Sequence, residues 1–304
     1  MGLIGKTRKF LSGLKMKDYL TFSDRINIRD IAFRDPYVIN CGDEYILTGT
    51  KYRFSYNDGD GVYIYKSRDL ENWRGPFKIV DKNKLPGAFS DFWAPEIHKT
   101  ENGYVLLLTL KPAGGKRGTY LFTSESPDSE FTFKTRITPE DKSSLDATLI
   151  CENGNHYIVY CYEYIDCKDG QIRAVRLKED FSGILPDSDV LLFKASANTY
   201  MPVNSKFKVT DGPFFVKTDK SIIMLWSTMV KGDRYVQLAA RSENGLFGNW
   251  RQLPPLFTGD GGHGMVFEDF GGSLKLILHA PNRRTVFTRK FEHPVILPFV
   301  IKDN

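Results

Sequence analysis

Apolar residues in this chain come in short runs, and turn residues separate the runs. Tyr37-Val-Ile-Asn-Cys leads through Gly42-Asp43 into Tyr45-Ile-Leu-Thr-Gly-Thr, and Gly61-Val-Tyr-Ile-Tyr-Lys-Ser follows. The same succession returns with Glu96-Ile-His-Lys, Asn102-Gly103, Tyr104-Val-Leu-Leu-Leu-Thr and Thr119-Tyr-Leu-Phe-Thr-Ser. It returns again with Thr148-Leu-Ile-Cys, Asn153-Gly154, His156-Tyr-Ile-Val-Tyr and Gln171-Ile-Arg-Ala-Val. A fourth copy runs Pro213-Phe-Phe-Val-Lys, Ser221-Ile-Ile-Met-Leu-Trp and Tyr235-Val-Gln-Leu-Ala-Ala, and a fifth Met265-Val-Phe, Leu274-Lys-Leu-Ile-Leu and Thr285-Val-Phe-Thr. Asn-Gly between short apolar runs is the strongest local hairpin signal. The pattern predicts five hairpins with a third strand each and no long helix after residue 30. Residues 1–30 read as a polar, weakly amphipathic lead-in that packs on or near the following domain, and 31–304 as one all-β domain.

Each first strand opens on a short tag: Asp35-Pro-Tyr-Val, Ala94-Pro-Glu-Ile, Asp146-Ala-Thr-Leu, Asp211-Gly-Pro-Phe and His263-Gly-Met-Val. The tags recur at intervals of 59, 52, 65 and 52 residues. Regular recurrence of a small meander marks a repeat architecture. Five units of three or four strands make a five-bladed β-propeller. A β-sandwich is the alternative, disfavoured by the even spacing and by two similar endings, Asp69-Leu-Glu-Asn-Trp73 and Leu246-Phe-Gly-Asn-Trp250. A radial array brings the tags to one axis, and three of them begin with aspartate. Clustered carboxylates are electrostatically costly, which points to chemistry. Side-chain alternation predicts that Asp35 shares a face with Tyr37, and Ala94 with Glu96, while Arg34 points the other way.

Composition narrows the function. Forty-two Lys and Arg against 37 Asp and Glu leave a net charge of +5. Apart from Lys6, Arg8, Lys9, Lys15 and Lys17 the basic residues are scattered, so no nucleic-acid footprint is present. The four cysteines form no CxxC pair, which argues against zinc, and they are expected as free thiols. No secretory signal and no apolar run of membrane-spanning length is visible, so no membrane partner is expected. The chain as given reads as cytoplasmic; a leader removed beforehand would leave the same reading.

The segments Arg34-Asp35-Pro36-Tyr37-Val38, Trp93-Ala94-Pro95-Glu96-Ile97-His98, Leu145-Asp146-Ala147-Thr148, Thr210-Asp211-Gly212-Pro213-Phe214 and Gly262-His263-Gly264 resemble glycoside hydrolase family 43, from about residue 30 onward. The resemblance implies a five-bladed propeller that hydrolyses glycosides with inversion, with exo action expected on α-L-arabinofuranosides, β-D-xylosides or galactofuranosides. It implies an oligosaccharide or glycoside as substrate and no required cofactor. Asp35 matches the family's general base, which activates water on the face opposite the leaving group. Asp146 matches the carboxylate that orients the acid and raises its pKa by like-charge repulsion.

The family's acid is a Glu in Glu-Gly-Pro, and here that place holds Asp211. The shorter side chain sets the proton back by roughly 1.5 Å, one bond length, where catalytic geometry is unforgiving. The readings therefore stay open. Asp211 is the acid on a closer backbone, or it assists Glu163 in Tyr160-Cys-Tyr-Glu-Tyr164, similar to a family branch with Glu beside an aromatic there. Glu96 stands behind both. A propeller that has lost its acid and only binds glycans is the alternative function. His263 matches a channel histidine that holds a structural calcium, directly or through water, or that is hydrogen-bonded without metal. Trp93 and Trp226 are candidates to stack on a sugar, and Arg283 or Arg284 to reach its hydroxyls. Trp73, Trp250 and His279 read as structural.

Overall fold

Successive side chains of one strand serve different cores. On the strand Gly103–Pro112, Leu106, Leu108 and Leu110 enter one apolar cluster, while Val105 and Leu107 enter another. Such a strand belongs to a sheet covered on both faces, which is why its sequence is a near-continuous apolar run instead of an alternating one.

The computed structural model describes residues 25–51, 59–204, 206, 208–283 and 292–301. Among these, the strands form five antiparallel sheets. Blade one holds β1 (Ile26–Asn27), β2 (Phe33–Asn40), β3 (Tyr45–Lys51), β4 (Gly61–Ser67) and β5 (Asn72–Asp81), and blade two β6 (Phe89–Thr100), β7 (Gly103–Pro112), β8 (Gly118–Ser124) and β9 (Thr132–Arg136). Blade three holds β10 (Ser144–Glu152), β11 (Asn155–Tyr162), β12 (Gln171–Arg176) and β13 (Val190–Lys194). Blade four holds β14 (Asp211–Lys217), β15 (Ile222–Val230), β16 (Arg234–Ser242) and β17 (Arg251–Gln252), and blade five β18 (Gly262–Glu268), β19 (Leu274–Ala280) and β20 (His293–Pro298).

The tag strands β2, β6, β10, β14 and β18 touch one another in a closed ring, β18 returning to β2. Five apolar cores fill the gaps between consecutive blades. The five-bladed propeller read from the sequence is therefore the fold. Turn chemistry agrees in detail: Asn153 and Gly154 both have positive φ, 50° and 74°, as a tight hairpin turn of this type demands. β1 pairs with β5 (Ile26 opposite Trp73), so residues 26 and 27 belong to blade one. Residues 1–24 lie outside the described residues.

The seam between blades five and one shares no strand among the described residues, since β1–β5 and β18–β20 come from opposite ends of the chain. Side chains close it instead. Ile31, Phe33, Val38, Leu47 and Trp73 pack against Met265, Phe267 and Ile277. The Asn40 amide donates to the Glu268 carbonyl at 2.8 Å. The Phe270 N–H donates to the Tyr45 hydroxyl at 2.7 Å, and the two rings stack at 4.0 Å. Replacing Tyr45 with Ala is expected to lower unfolding stability by about 3–5 kcal/mol, the range for deleting a large buried aromatic. Urea unfolding measures it, and a loss below about 1 kcal/mol would mean that the ring closes elsewhere.

Candidate active site

Every innermost strand breaks its register at the tag: between Arg34 and Tyr37, Trp93 and Glu96, Leu145 and Thr148, Asp211 and Phe214, and Gly262 and Met265. At each break one residue has a left-handed backbone: Asp35 (φ 51°), Ala94 (44°), Asp146 (54°), Gly212 (52°) and His263 (52°). For residues other than glycine this conformation costs roughly 1–2 kcal/mol. The preceding blade's second strand holds it in place. Ala94 N–H donates to Thr50 Oγ1 at 2.7 Å, Asp146 N–H to Thr109 Oγ1 at 2.9 Å and His263 N–H to Ser227 Oγ at 2.8 Å. Asp35 N–H donates to His279 Nδ1 at 3.2 Å, across the seam.

Two sequence expectations change here. The fourth left-handed position is Gly212, so the fourth tag begins one residue later than the spacing suggested. Asp211 is equivalent to Arg34, Trp93, Leu145 and Gly262 and not to Asp35 or Asp146. The bulge also breaks simple alternation: Arg34 does not point away, and both Arg34 and Asp35 line the same cavity. The expected companionship of Asp35 with Tyr37, and of Ala94 with Glu96, is seen in a smaller cavity deeper in the channel.

A cavity of about 430 Å³ at the tags brings together Asp35, Asp146, Asp211, His263, Trp93 and Arg34. His263 Nδ1 lies 3.2 Å from Asp35 Oδ1 and 3.6 Å from Asp146 Oδ2. Thr50 Oγ1 donates to Asp35 Oδ2 at 2.6 Å. The Tyr235 hydroxyl donates to Asp211 Oδ2 at 3.0 Å. The Gly212 N–H donates to the Asp146 carboxyl, so the residue beside Asp211 is fixed by Asp146.

Burial is the largest single influence on each of these groups and disfavours charge. At Asp35 it is outweighed by His263 and Arg34, which hold the carboxyl well below the usual range and keep it ionised. At His263 burial is outweighed by Asp35 and Asp146, and the ring is pushed up to about 10, an imidazolium. At Asp211 burial pushes the carboxyl up to about 6; His263 and the Tyr235 hydrogen bond work against it and the Asp35 charge adds to it. Burial lifts Asp146 well above its ordinary value, with His263 opposing and Asp211 and Asp35 adding. Asp146 and Asp211 repel, so their proton losses belong to the pair. Burial, then the Arg34 charge, pulls His279 down to about 3. His279 is therefore neutral. Its Nδ1 accepts from Asp35, so Nε2 carries the proton and donates to Asn282 Oδ1 at 3.3 Å.

The remaining candidates separate. Glu163 is buried just before the short helix α1 (Tyr164–Cys167) and is not among the residues lining the cavity. It pairs with Arg117, whose guanidinium also binds Asp91 at 2.9 Å and lies 4.2 Å over the Trp93 ring. Glu96 bonds His98 Nε2 at 2.9 Å in the deeper channel. Trp93 lines the cavity as expected. Trp226 does not: it is 0% exposed, in the core between blades three and four, donating to Gln252 Oε1 at 3.1 Å. Alternation on β15 puts it on the same face as Ile222 and Met224, which rules it out as a sugar platform. Arg283 is exposed and turned to the Gly232 carbonyl, and its neighbour Asn282 lines the cavity in its stead. Arg284 lies outside the described residues. His263 Nδ1 faces two carboxylates as a proton donor, and no group of three His, Cys, Asp or Glu side chains among the described residues is arranged around a metal ion.

Sequence reasoning missed Thr50, Arg34, Arg117 and Tyr235 as parts of this site, and read His279 as merely structural. A usable signal existed for two of them. Thr50, Thr109, Cys161, Ser227 and His279 pair with the residue just before each bulge, 16, 16, 16, 16 and 17 positions downstream. Nothing in the local sequence marks Tyr235.

Replacing His263 with Ala removes the cation held between Asp35 and Asp146 and is expected to cost about 3–5 kcal/mol. Because the folded-state pKa is raised from 6.5 to about 10, this contribution is fully present below pH 6.5 and fades as pH rises toward 10. Denaturant unfolding of both proteins at pH 6 and pH 9.5 reads the difference; a gap that widens at the higher pH would contradict the assignment.

Residues 28–304 match the sequence profile of "Glycosyl hydrolases family 43". The solved structure of an endo-arabinase from Bacteroides thetaiotaomicron VPI-5482 is 36% identical, with a TM-score of 0.81, covering 92% of this chain and 99% of that one. An α-L-arabinofuranosidase from Lactobacillus brevis shares the fold at 18% identity and a TM-score of 0.72, covering 90% and 92%. Among curated proteins none matches. Five bulged tags in family order and a profile match across the whole propeller place the chain in glycoside hydrolase family 43, and it is a glycoside hydrolase.

Proposed function

We propose that the protein hydrolyses α-L-arabinofuranosyl linkages with inversion at the anomeric carbon, with Asp35 as base and Asp211 as acid. The observation that carries this reading is a divergence of two carboxyls on one cavity: Asp35 stays ionised while Asp211 is lifted to about 6. Environments that push paired groups apart mark the acid and the base. Asp35 takes a proton from water as the water oxygen attacks the anomeric carbon. The glycosidic C–O bond breaks, and Asp211 gives its proton to the leaving oxygen. Asp146 holds the Gly212 backbone and disfavours ionisation of its neighbour. Trp93, backed on one face by Arg117, offers its ring to the sugar. The cavity volume is within the range of small-molecule sites. Arabinofuranose is favoured over xylose and galactofuranose by the likeness to the endo-arabinase. The loss-of-acid alternative has less support, because Asp211 lines the cavity with its carboxyl raised; Glu163, which burial also raises, is engaged by Arg117 and is not among the residues lining that cavity.

Asp35→Asn should lower turnover at least 10²-fold while the fold persists. Asp211→Asn should lose about 10²–10⁴-fold on arabinan and far less on nitrophenyl α-L-arabinofuranoside, whose leaving group needs little protonation. The wild-type rate on arabinan should decline above a pH of about 6, as the acid loses its proton. The leaving-group signature in Glu163→Gln instead of Asp211→Asn would overturn the acid assignment. Proton NMR of the first-formed anomer tests inversion, and the products from linear arabinan separate exo from endo cleavage.

A further inference from the structure

The residues just before the bulges line the cavity in four blades, as Arg34, Trp93, Leu145 and Asp211. In the fifth blade that place is Gly262. A Cβ there would stand 2.8 Å from the Tyr235 ring and 2.7 Å from Ser227 Oγ, closer than side-chain carbons approach. The ring of Tyr235, from the third strand of blade four, fills the room that a fifth side chain would take. Its hydroxyl reaches the acid position, and the residue is 2% exposed.

We propose that Tyr235 is a positioning residue for the acid: it fixes the Asp211 carboxyl, leaves Oδ1 as the oxygen that carries the proton, and ties the acid to the base through His279. The proposal rests on the reading of Asp211 as acid. The phenol donates to Oδ2, which therefore serves as acceptor and leaves the proton to Oδ1. Burial, then the charges of Asp211, Asp35 and Asp146, holds the phenol well above its usual pKa, so it remains a donor. The Tyr235 ring stacks on His279 at 5.5 Å and 18°, and His279 receives the Asp35 N–H. Acid and base are thus set against one pair of rings. The far end of Tyr235 is fixed as well, its N–H donating to Asp260 Oδ1 at 3.1 Å. A short aspartate has few torsions with which to seek the leaving oxygen, so a fixed carboxyl matters more here than it would for glutamate.

Titration of Asp211 is set by Arg34 and Asp35 on β2, Asp146 on β10, Cys161 on β11, Tyr164 at the start of α1, Tyr235 on β16 and His263 on β18. Tyr235→Phe keeps the ring and removes only the hydroxyl. Since the phenol stabilises the carboxylate, its loss should move the alkaline limb of the kcat/KM profile to higher pH. On arabinan kcat should fall about tenfold with KM little changed, and on nitrophenyl α-L-arabinofuranoside much less, because only acid catalysis is weakened. Gly262→Ala, which crowds the same ring, should give the same signature. In an Asp211→Asn background Tyr235→Phe should add no further loss. Equal losses on both substrates with an unmoved alkaline limb would reduce Tyr235 to packing and overturn the proposal. If Asp211→Asn itself shows no leaving-group dependence, the acid assignment fails first, and the two failures are told apart.

Discussion

The site depends on a left-handed backbone at the start of each innermost strand. In plain antiparallel pairing, neighbouring residues point to opposite faces. The bulge turns both Arg34 and Asp35 into one cavity, and it sets Asp146 and Asp211 there from two different phases of their tags. Such backbone is unfavourable for aspartate and histidine and persists only where the surroundings over-determine it. The surroundings do so across blade boundaries. Thr50 accepts the Ala94 N–H and donates to Asp35, so a single hydroxyl joins blade one to blade two and orients the base. At the bulges, contacts that join neighbouring blades also shape the site.

Burial then sets the chemistry. Three carboxyls share a region where charge is disfavoured, and one imidazolium lies between two of them. That cation is not shared equally: it is closer to Asp35 than to Asp146. Asp35 also has Thr50 and Arg34, and it stays charged. Asp146 and Asp211 are left to hold on to protons. A modest asymmetry in hydrogen bonding around His263 thus separates three identical side chains into an ionised group and a protonatable pair.

Much of the architecture was legible in the chain. Apolar runs, Asn-Gly turns and tag spacing gave blade number and order, because a strand buried on both faces and a tight turn each leave a local mark. Asp35, Asp146, Asp211, His263 and Trp93 were found from the tags for the same reason. What failed was whatever a bulge or a neighbouring blade decides. Arg34 was turned the wrong way and the fourth tag misphased, since one left-handed residue shifts every side chain before it by a face. Trp226 resembled a platform in sequence, yet the alternation of β15 consigns it to a core. Tyr235 reaches the acid from the third strand of its own blade, with no local pattern to reveal it.

The aspartate in place of the family's glutamate is best understood with this geometry. A shorter acid cannot be compensated by its own torsions; position must come from the groups that hold it. Asp211 has Tyr235 on one oxygen and, through the Gly212 N–H, Asp146 behind its backbone. Gly262 makes room for the Tyr235 ring, and His279 supports that ring while accepting from the Asp35 backbone. Contributions from all blades but the second meet on one carboxyl and its partner across the cavity. The substitution is therefore one visible part of an arrangement that holds the shorter side chain at Oδ2 and, behind it, at the backbone.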